Sequence, residues 1–199
     1  MTAAADTAAI VLAAGYGSRF GGDKQLARLP GGMLLLEQTL GRLQQATGHI
    51  LLVTRQNLRD PLIQAIPGLE QQARIVVSPD ADRGMGHSLA AGIAALAPET
   101  QGCLICLGDM PWIKPDTYRL LLDTLRSDGI LIPAFEGRSG HPVGFGRRFF
   151  DELLQCHGDE GARRVIRQHP AACVTLAVPD EGILLDVDTT ADLDQKRPD

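Results

Sequence analysis

The chain has 199 residues, 44% of them hydrophobic and 22% charged, with a formal net charge of −5. That length suits one domain, spanning 1–199, with a core that needs no disulfide or metal staple. The acidic balance supplies no basic stripe for a nucleic-acid backbone, and no apolar run approaches the ~20 residues of a membrane-spanning helix. The start of the chain, Met1 to Asp6, has neither a basic flank nor a signal-peptide core. Its four cysteines, Cys103, Cys106, Cys156 and Cys173, do not space like a disulfide framework, so a cytoplasmic location is expected.

Apolar runs then alternate with helical patterns. Residues 8–12 read as a buried strand, 35–43 as a helix, 50–54 as a strand and 58–66 as a helix closed by Pro67 and Gly68. A strand at 74–78, a helix at 88–96 stopped by Pro98, a strand at 103–107 and a helix at 117–125 continue the rhythm. Cys103 and Cys106 lie three apart in a strand, which puts them on opposite faces as small buried hydrophobes rather than a redox or metal pair. Residues 130–132 form a further strand. After it the pattern loosens: strands at 142–145, 174–178 and 183–187, helices at 149–154 and 162–169, and a last helix from 189 with Thr189 or Thr190 as N-cap. This alternation predicts an α/β domain with a mostly parallel sheet covered on both faces. In such folds ligands bind beyond the carboxyl ends of the strands.

The least ordinary residues fall at those ends. After the first strand comes Leu12-Ala13-Ala14-Gly15-Tyr16-Gly17-Ser18-Arg19-Phe20-Gly21-Gly22-Asp23-Lys24. A dinucleotide fingerprint fails here because its third glycine arrives one residue late and the second strand ends in Thr54-Arg55 without an acid. A P-loop fails because Lys24 is followed by Gln25 rather than a hydroxyl residue. What remains is a glycine-rich loop whose amide groups, with Arg19 and Lys24, suit a triphosphate. Further on, Gly84-Met85-Gly86-His87-Ser88 opens a helix, with Ser88 either capping it or facing a ligand and His87 a bystander. Gly108-Asp109-Met110-Pro111 puts a carboxylate on a tight turn at a strand end, a good place to hold magnesium. His141 emerges from a loop between Gly140 and Pro142, either packing on its own turn or meeting a ligand. Asp186 and Asp188 alternate onto one face and repel unless a positive charge lies between them; one of them either holds metal or caps the last helix.

The segment Leu-Ala-Ala-Gly-x-Gly-x-Arg-x-Gly-x-x-Lys resembles the signature of the nucleotidyltransferase superfamily, and the chain is most similar to molybdenum cofactor cytidylyltransferases. Segments at 84–92, 108–111, 139–145, 158–164 and 186–189 match in order, so the resemblance covers nearly the whole chain. It implies a three-layer α/β/α Rossmann-like nucleotidyltransferase fold and transfer of CMP from CTP to the terminal phosphate of molybdopterin, with pyrophosphate released. Magnesium, or manganese in its place, is the implied cofactor. The resemblance assigns Arg19, Lys24 and Asp109 to catalysis, and Asp109 with Asp188 to the metal. It assigns Leu12, Ala13, Ala14, Gly15, Gly17, Lys24, Gly86, Ser88 and Asp109 to the nucleotide, and His141, Gly158, Asp159, Gly161 and Arg163 to the acceptor. Phe20 stands in place of a usual Met, Met33-Leu34 in place of Pro-Leu, and Thr190 in place of Pro. A receiving molybdoenzyme or its insertion chaperone is the implied protein partner. Three alternatives remain open: the same chemistry with GTP or on a sugar phosphate, a non-catalytic cofactor carrier, and a nicotinamide-dependent oxidoreductase, against which the failed fingerprint speaks.

Overall fold

The structure is a computed structural model in which residues 6–17 and 20–193 are described. An eight-stranded sheet runs through its centre in the spatial order β3 (Arg74–Val77), β2 (Ile50–Thr54), β1 (Thr7–Leu12), β4 (Gly102–Leu107), β7 (Val143–Gly146), β5 (Ile130–Phe135) and β6 (Arg138–Ser139), with β8 (Cys173–Ala177) also paired to β5. Strands β1 (Thr7–Leu12), β2 (Ile50–Thr54), β3 (Arg74–Val77) and β4 (Gly102–Leu107) are mutually parallel. Leu12 pairs with Val53 on one side and Leu107 on the other, so the carboxyl ends of three strands finish level. Every residue of β1 is buried, which is why it reads as an unbroken apolar run rather than an alternating one.

The two faces of β1 feed different cores. Ala9 and Val11 pack with Leu36, Leu40 and Leu43 of α1 (Leu35–Gln44), Leu58 and Leu62 of α2 (Gln56–Ala65), Leu69 of α3 (Leu69–Gln72), and Tyr118, Leu121 and Leu122 of α5 (Pro115–Thr124). Ala8, Ile10 and Leu12 pack with Leu89 and Ile93 of α4 (Met85–Ala94), Phe150 and Leu153 of α6 (Phe150–Leu154), and Val165 of α7 (Arg163–Gln168). The result is a three-layer α/β/α domain built on a mostly parallel sheet. Cys106 belongs to the first core and Cys103 to the second, on opposite faces as expected, and burial pushes both thiols up. Among the described residues no helix is long and apolar enough to cross a membrane.

The last third is where the expected pattern gives way. β7 (Val143–Gly146) runs antiparallel between β4 and β5 (Ile130–Phe135); the short β6 (Arg138–Ser139) folds back on β5, and β8 (Cys173–Ala177) lies parallel to it. The strand expected at 183–187 is absent: Glu181–Leu184 forms a 3-10 turn. Its apolar residues serve two cores rather than one sheet face, Ile183 packing in the first cluster and Val187 against Leu35 and Trp112. Asp180 shapes this turn. Its buried carboxylate accepts from the Gly182 amide at 2.9 Å, from the Lys114 amide at 2.8 Å and from the Thr117 hydroxyl at 2.6 Å. One acid thus starts the turn and caps α5 across the chain. The final helix, α8 (Thr190–Leu193), is not opened by an accepting threonine: the Thr189 hydroxyl donates to Asp192, which also receives the Asp188 and Thr189 amides.

Candidate active site

A cleft of about 1090 Å³ opens beyond the level ends of β1 and β4. That exceeds the usual range for one small ligand and suits two substrates side by side. One wall is the loop after β1, from which Leu12, Ala14, Gly15 and Gly17 line the space. Gly17 has φ +57°, and a Cβ there would sit 2.3 Å from the Gly22 carbonyl, so no other residue fits this turn. Its own carbonyl accepts the amides of Phe20 and Gly21 at 2.8 and 2.9 Å. Ala13 does not line the cleft; it is buried in the opposite core, as the alternation beyond β1 requires. Arg19 lies outside the described residues.

The floor holds the charged centre. Lys24 Nζ lies 2.6 Å from Asp109 Oδ2, 3.2 Å from Asp188 Oδ1 and 3.0 Å from the Val187 carbonyl. The positive charge demanded by neighbouring acids is therefore Lys24 itself. Burial alone lowers the ammonium pKa, but Asp109 and Asp188 more than reverse that and hold it above 10.5, so the group stays charged. The turn is pinned from several sides: the Gly108 amide donates to Leu12, the Thr39 hydroxyl to the Gly108 carbonyl, and the Val187 amide to the Asp109 carbonyl at 3.0 Å. That last bond carries Asp188 to Asp109 without a strand. Asp109 Oδ1 is buried with no hydrogen-bond partner. Burial, then Asp188 and Asp109, raise the Asp186 carboxyl above its ordinary value.

The far wall joins α4 to the 157–163 segment. α4 begins at Met85 with Gly84 at its N-cap, three residues earlier than expected, so Ser88 sits inside the helix, does not cap it, and lines the cleft. Gly86 and Gly158 lie behind this wall rather than on it: the Gly86 amide donates to the Gly158 carbonyl at 2.7 Å. A Cβ on Gly84 would meet that carbonyl at 2.5 Å, and one on Gly86 would meet the His157 backbone at 2.6 Å. Asp159, Gly161 and Arg163 line the cleft beside His141. Burial holds the His141 imidazole below its ordinary value, against the pull of Asp109 and the Ile105 carbonyl. Its Nδ1 is buried without a partner. Sequence reasoning passed over Gln25 and Arg55, whose side chains donate to the Gly15 carbonyl at 3.1 and 2.9 Å. The only signal available for them was an arginine at a strand end where a nucleotide fold often carries an acid.

Residues 9–173 match the MobA-like NTP transferase domain. The purine catabolism protein PucB of Bacillus subtilis is 30% identical over 94% of each chain, and the molybdenum cofactor cytidylyltransferase of Escherichia coli is 27% identical over 92% of this chain and 91% of its own. Among solved structures, Rv0371c of Mycobacterium tuberculosis H37Rv superposes with a TM-score of 0.83 at 31% identity, covering 94% of both chains, and its complex with manganese does so with a TM-score of 0.79. A family match over most of the chain, relatives aligned end to end and a cleft at the strand ends all agree: the chain belongs to the MobA-like NTP transferase family and is a nucleotidyltransferase.

Proposed function

We propose that this protein transfers CMP from CTP to the terminal phosphate of molybdopterin. The observation that carries the reading is the Lys24–Asp109–Asp188 cluster on the floor of a cleft walled by the 12–17 loop on one side and by His141, Asp159, Gly161 and Arg163 on the other. The loop and Lys24, with Arg19, receive the triphosphate; the opposite wall receives the acceptor. An acceptor phosphate oxygen forms the new bond to the α-phosphorus, and the bond to the β-phosphate breaks with its electron pair leaving on pyrophosphate. The acceptor phosphate is already ionised near neutral pH, so no side chain has to remove a proton. The work of the chain is to bring two anions together and hold them in line.

A divalent cation fits this donor set. Asp109 Oδ1 is a buried oxygen without a partner, Asp188 lies on the same ammonium, and both are hard ligands. Magnesium takes few protein carboxylates and completes its shell from water and phosphates, so two acids suffice. Held by Asp109 and Asp188, magnesium or manganese would neutralise the triphosphate and favour departure of pyrophosphate. The manganese complex of Rv0371c supports this choice.

Preference for CTP rests on Ala14, which lines the cleft at a position where the resemblance implies a glycine in guanylyltransferases. Its methyl takes room a purine needs, a difference of about 1–3 kcal/mol. Pyrophosphate release from CTP, GTP and ATP with molybdopterin as acceptor tests the reading: CTP is expected to lead, and no release with any of them would overturn it. The equal coverage of the purine catabolism relative favours a second reading, the same transfer to another phosphorylated acceptor, which acceptor competition separates. A cofactor carrier would bind molybdopterin and release no pyrophosphate; the Lys24–Asp109 pair speaks against it.

A further inference from the structure

Arg55 follows β2 and is 4% exposed. Register places it beside the loop after β1, because Val53 pairs with Leu12. Its Nη1 donates to the Gly15 carbonyl at 2.9 Å, its Nη2 pairs with the Asp23 carboxylate, and its guanidinium lies 4.5 Å from the centre of the Tyr16 ring. All three partners belong to the glycine-rich loop. Gly15 opens that loop and Asp23 closes it, so one rigid fork ties its two ends together. Gln25 repeats half of the tie on the Gly15 carbonyl. Lys24 is the next residue after Asp23, and its ammonium reaches Asp109 and Asp188.

A buried guanidinium is costly to place and adds little net stability when its partner is half-exposed, as the Asp23 side chain is at 41%. What the arrangement supplies is geometry. Without the tie, a loop built on Gly15, Gly17, Gly21 and Gly22 has many conformations open to it, and the amides and Lys24 would have to be ordered at each binding event. We infer that Arg55 is a positioning residue of the nucleotide site: through Gly15 and Asp23 it holds the phosphate-binding loop closed and Lys24 aimed at the acidic pair. The inference rests on the nucleotidyl-transfer reading given above.

Asp23→Asn and Arg55→Lys, singly and together, test it. Asp23 is exposed enough to change without harming the core, and a lysine keeps the charge but cannot reach both loop ends with one fork. Binding of Mg·CTP is measured by calorimetry, and exchange of the Phe20 and Gly21 amides by hydrogen–deuterium exchange. Each variant is expected to bind Mg·CTP about tenfold or more weakly, with KM for CTP rising and KM for the acceptor within about twofold, and the double variant no worse than the weaker single one. A residue that merely stabilised the fold would lower the amount of active protein and leave both KM values alone. Unchanged Mg·CTP affinity in both single variants, or losses that multiply in the double one, overturns the inference. If the wild-type protein binds no Mg·CTP, the nucleotide reading fails instead. The amide exchange then decides the tie: at least tenfold faster in Asp23→Asn supports it, and unchanged exchange overturns it.

Discussion

Replacing Asp180 by alanine is a demanding test of the fold, because one carboxylate serves three donors and so joins its own turn to the distant start of α5. The amides of Lys114 and Gly182 and the hydroxyl of Thr117 all point at it, and the carboxylate is 2% exposed. Each donor left without a partner in a buried site costs about 1–3 kcal/mol. Lys114 is half-buried, so water reaches some of the space and recovers part of that loss. About 4 kcal/mol remains as the expected destabilisation. In a chain of 199 residues this lowers Tm by roughly 10 °C. Asp180→Asn keeps one accepting oxygen and should fall between, at about 1–2 kcal/mol. Urea unfolding at fixed pH, with thermal melts alongside, gives both numbers. Because the turn after Asp180 leads to Asp186 and Asp188, turnover of the alanine variant should also fall at temperatures where it remains folded. An alanine variant within 1 kcal/mol of wild type would refute the reasoning, since it would mean that the three bonds are replaced by water at no cost.

Asp109→Ala should lower kcat/KM by about 3 kcal/mol, roughly a hundredfold or more, in pyrophosphate release, and chelation of divalent metal should stop the wild-type reaction until magnesium or manganese is restored. Gly17→Ala forces both a strained φ and a clash with the Gly22 carbonyl; KM for CTP should rise at least tenfold in the same assay, by analogy with other misplaced binding groups, and Tm should fall as well. The lowered His141 pKa gives a pH dependence of defined sign. On acidification the unfolded chain takes up the proton first, near pH 6.5, so stability should fall as pH drops from that value through the folded-state pKa and should level off below it. His141→Gln should flatten this limb in urea titrations between pH 7 and pH 5.

Much of the sheet was legible because β1, β2 and β4 are buried on both faces and read as short unbroken apolar runs. The glycine-rich loop and the Gly108-Asp109 turn stood out for the same reason: they interrupt apolar runs where a ligand site belongs. Strand order was not legible. Nothing in residues 143–146 distinguishes an antiparallel strand lodged between β4 and β5 from one added at the edge. The 183–187 segment misled because a short apolar run fits a strand or a turn equally well, and here packing of Ile183 and Val187 into separate clusters decides. Asp180 could have been found: an Asp two residues before a glycine is a turn signal. Arg55 stood out only as an arginine at a strand end; its partners at Gly15 and Asp23 were not legible, because they are fixed by strand register.

Gly84 and Gly86 have a consequence beyond fit. With no side chains between them, the start of α4 and the 157–159 backbone lie directly on each other. If the proposed function holds, the surface that would face the base and the surface that would face the acceptor are two sides of one seam. A methyl inserted in that seam has to push the start of α4 and the 157–159 backbone apart together, so under the proposed function the acceptor and nucleotide sides would change as one.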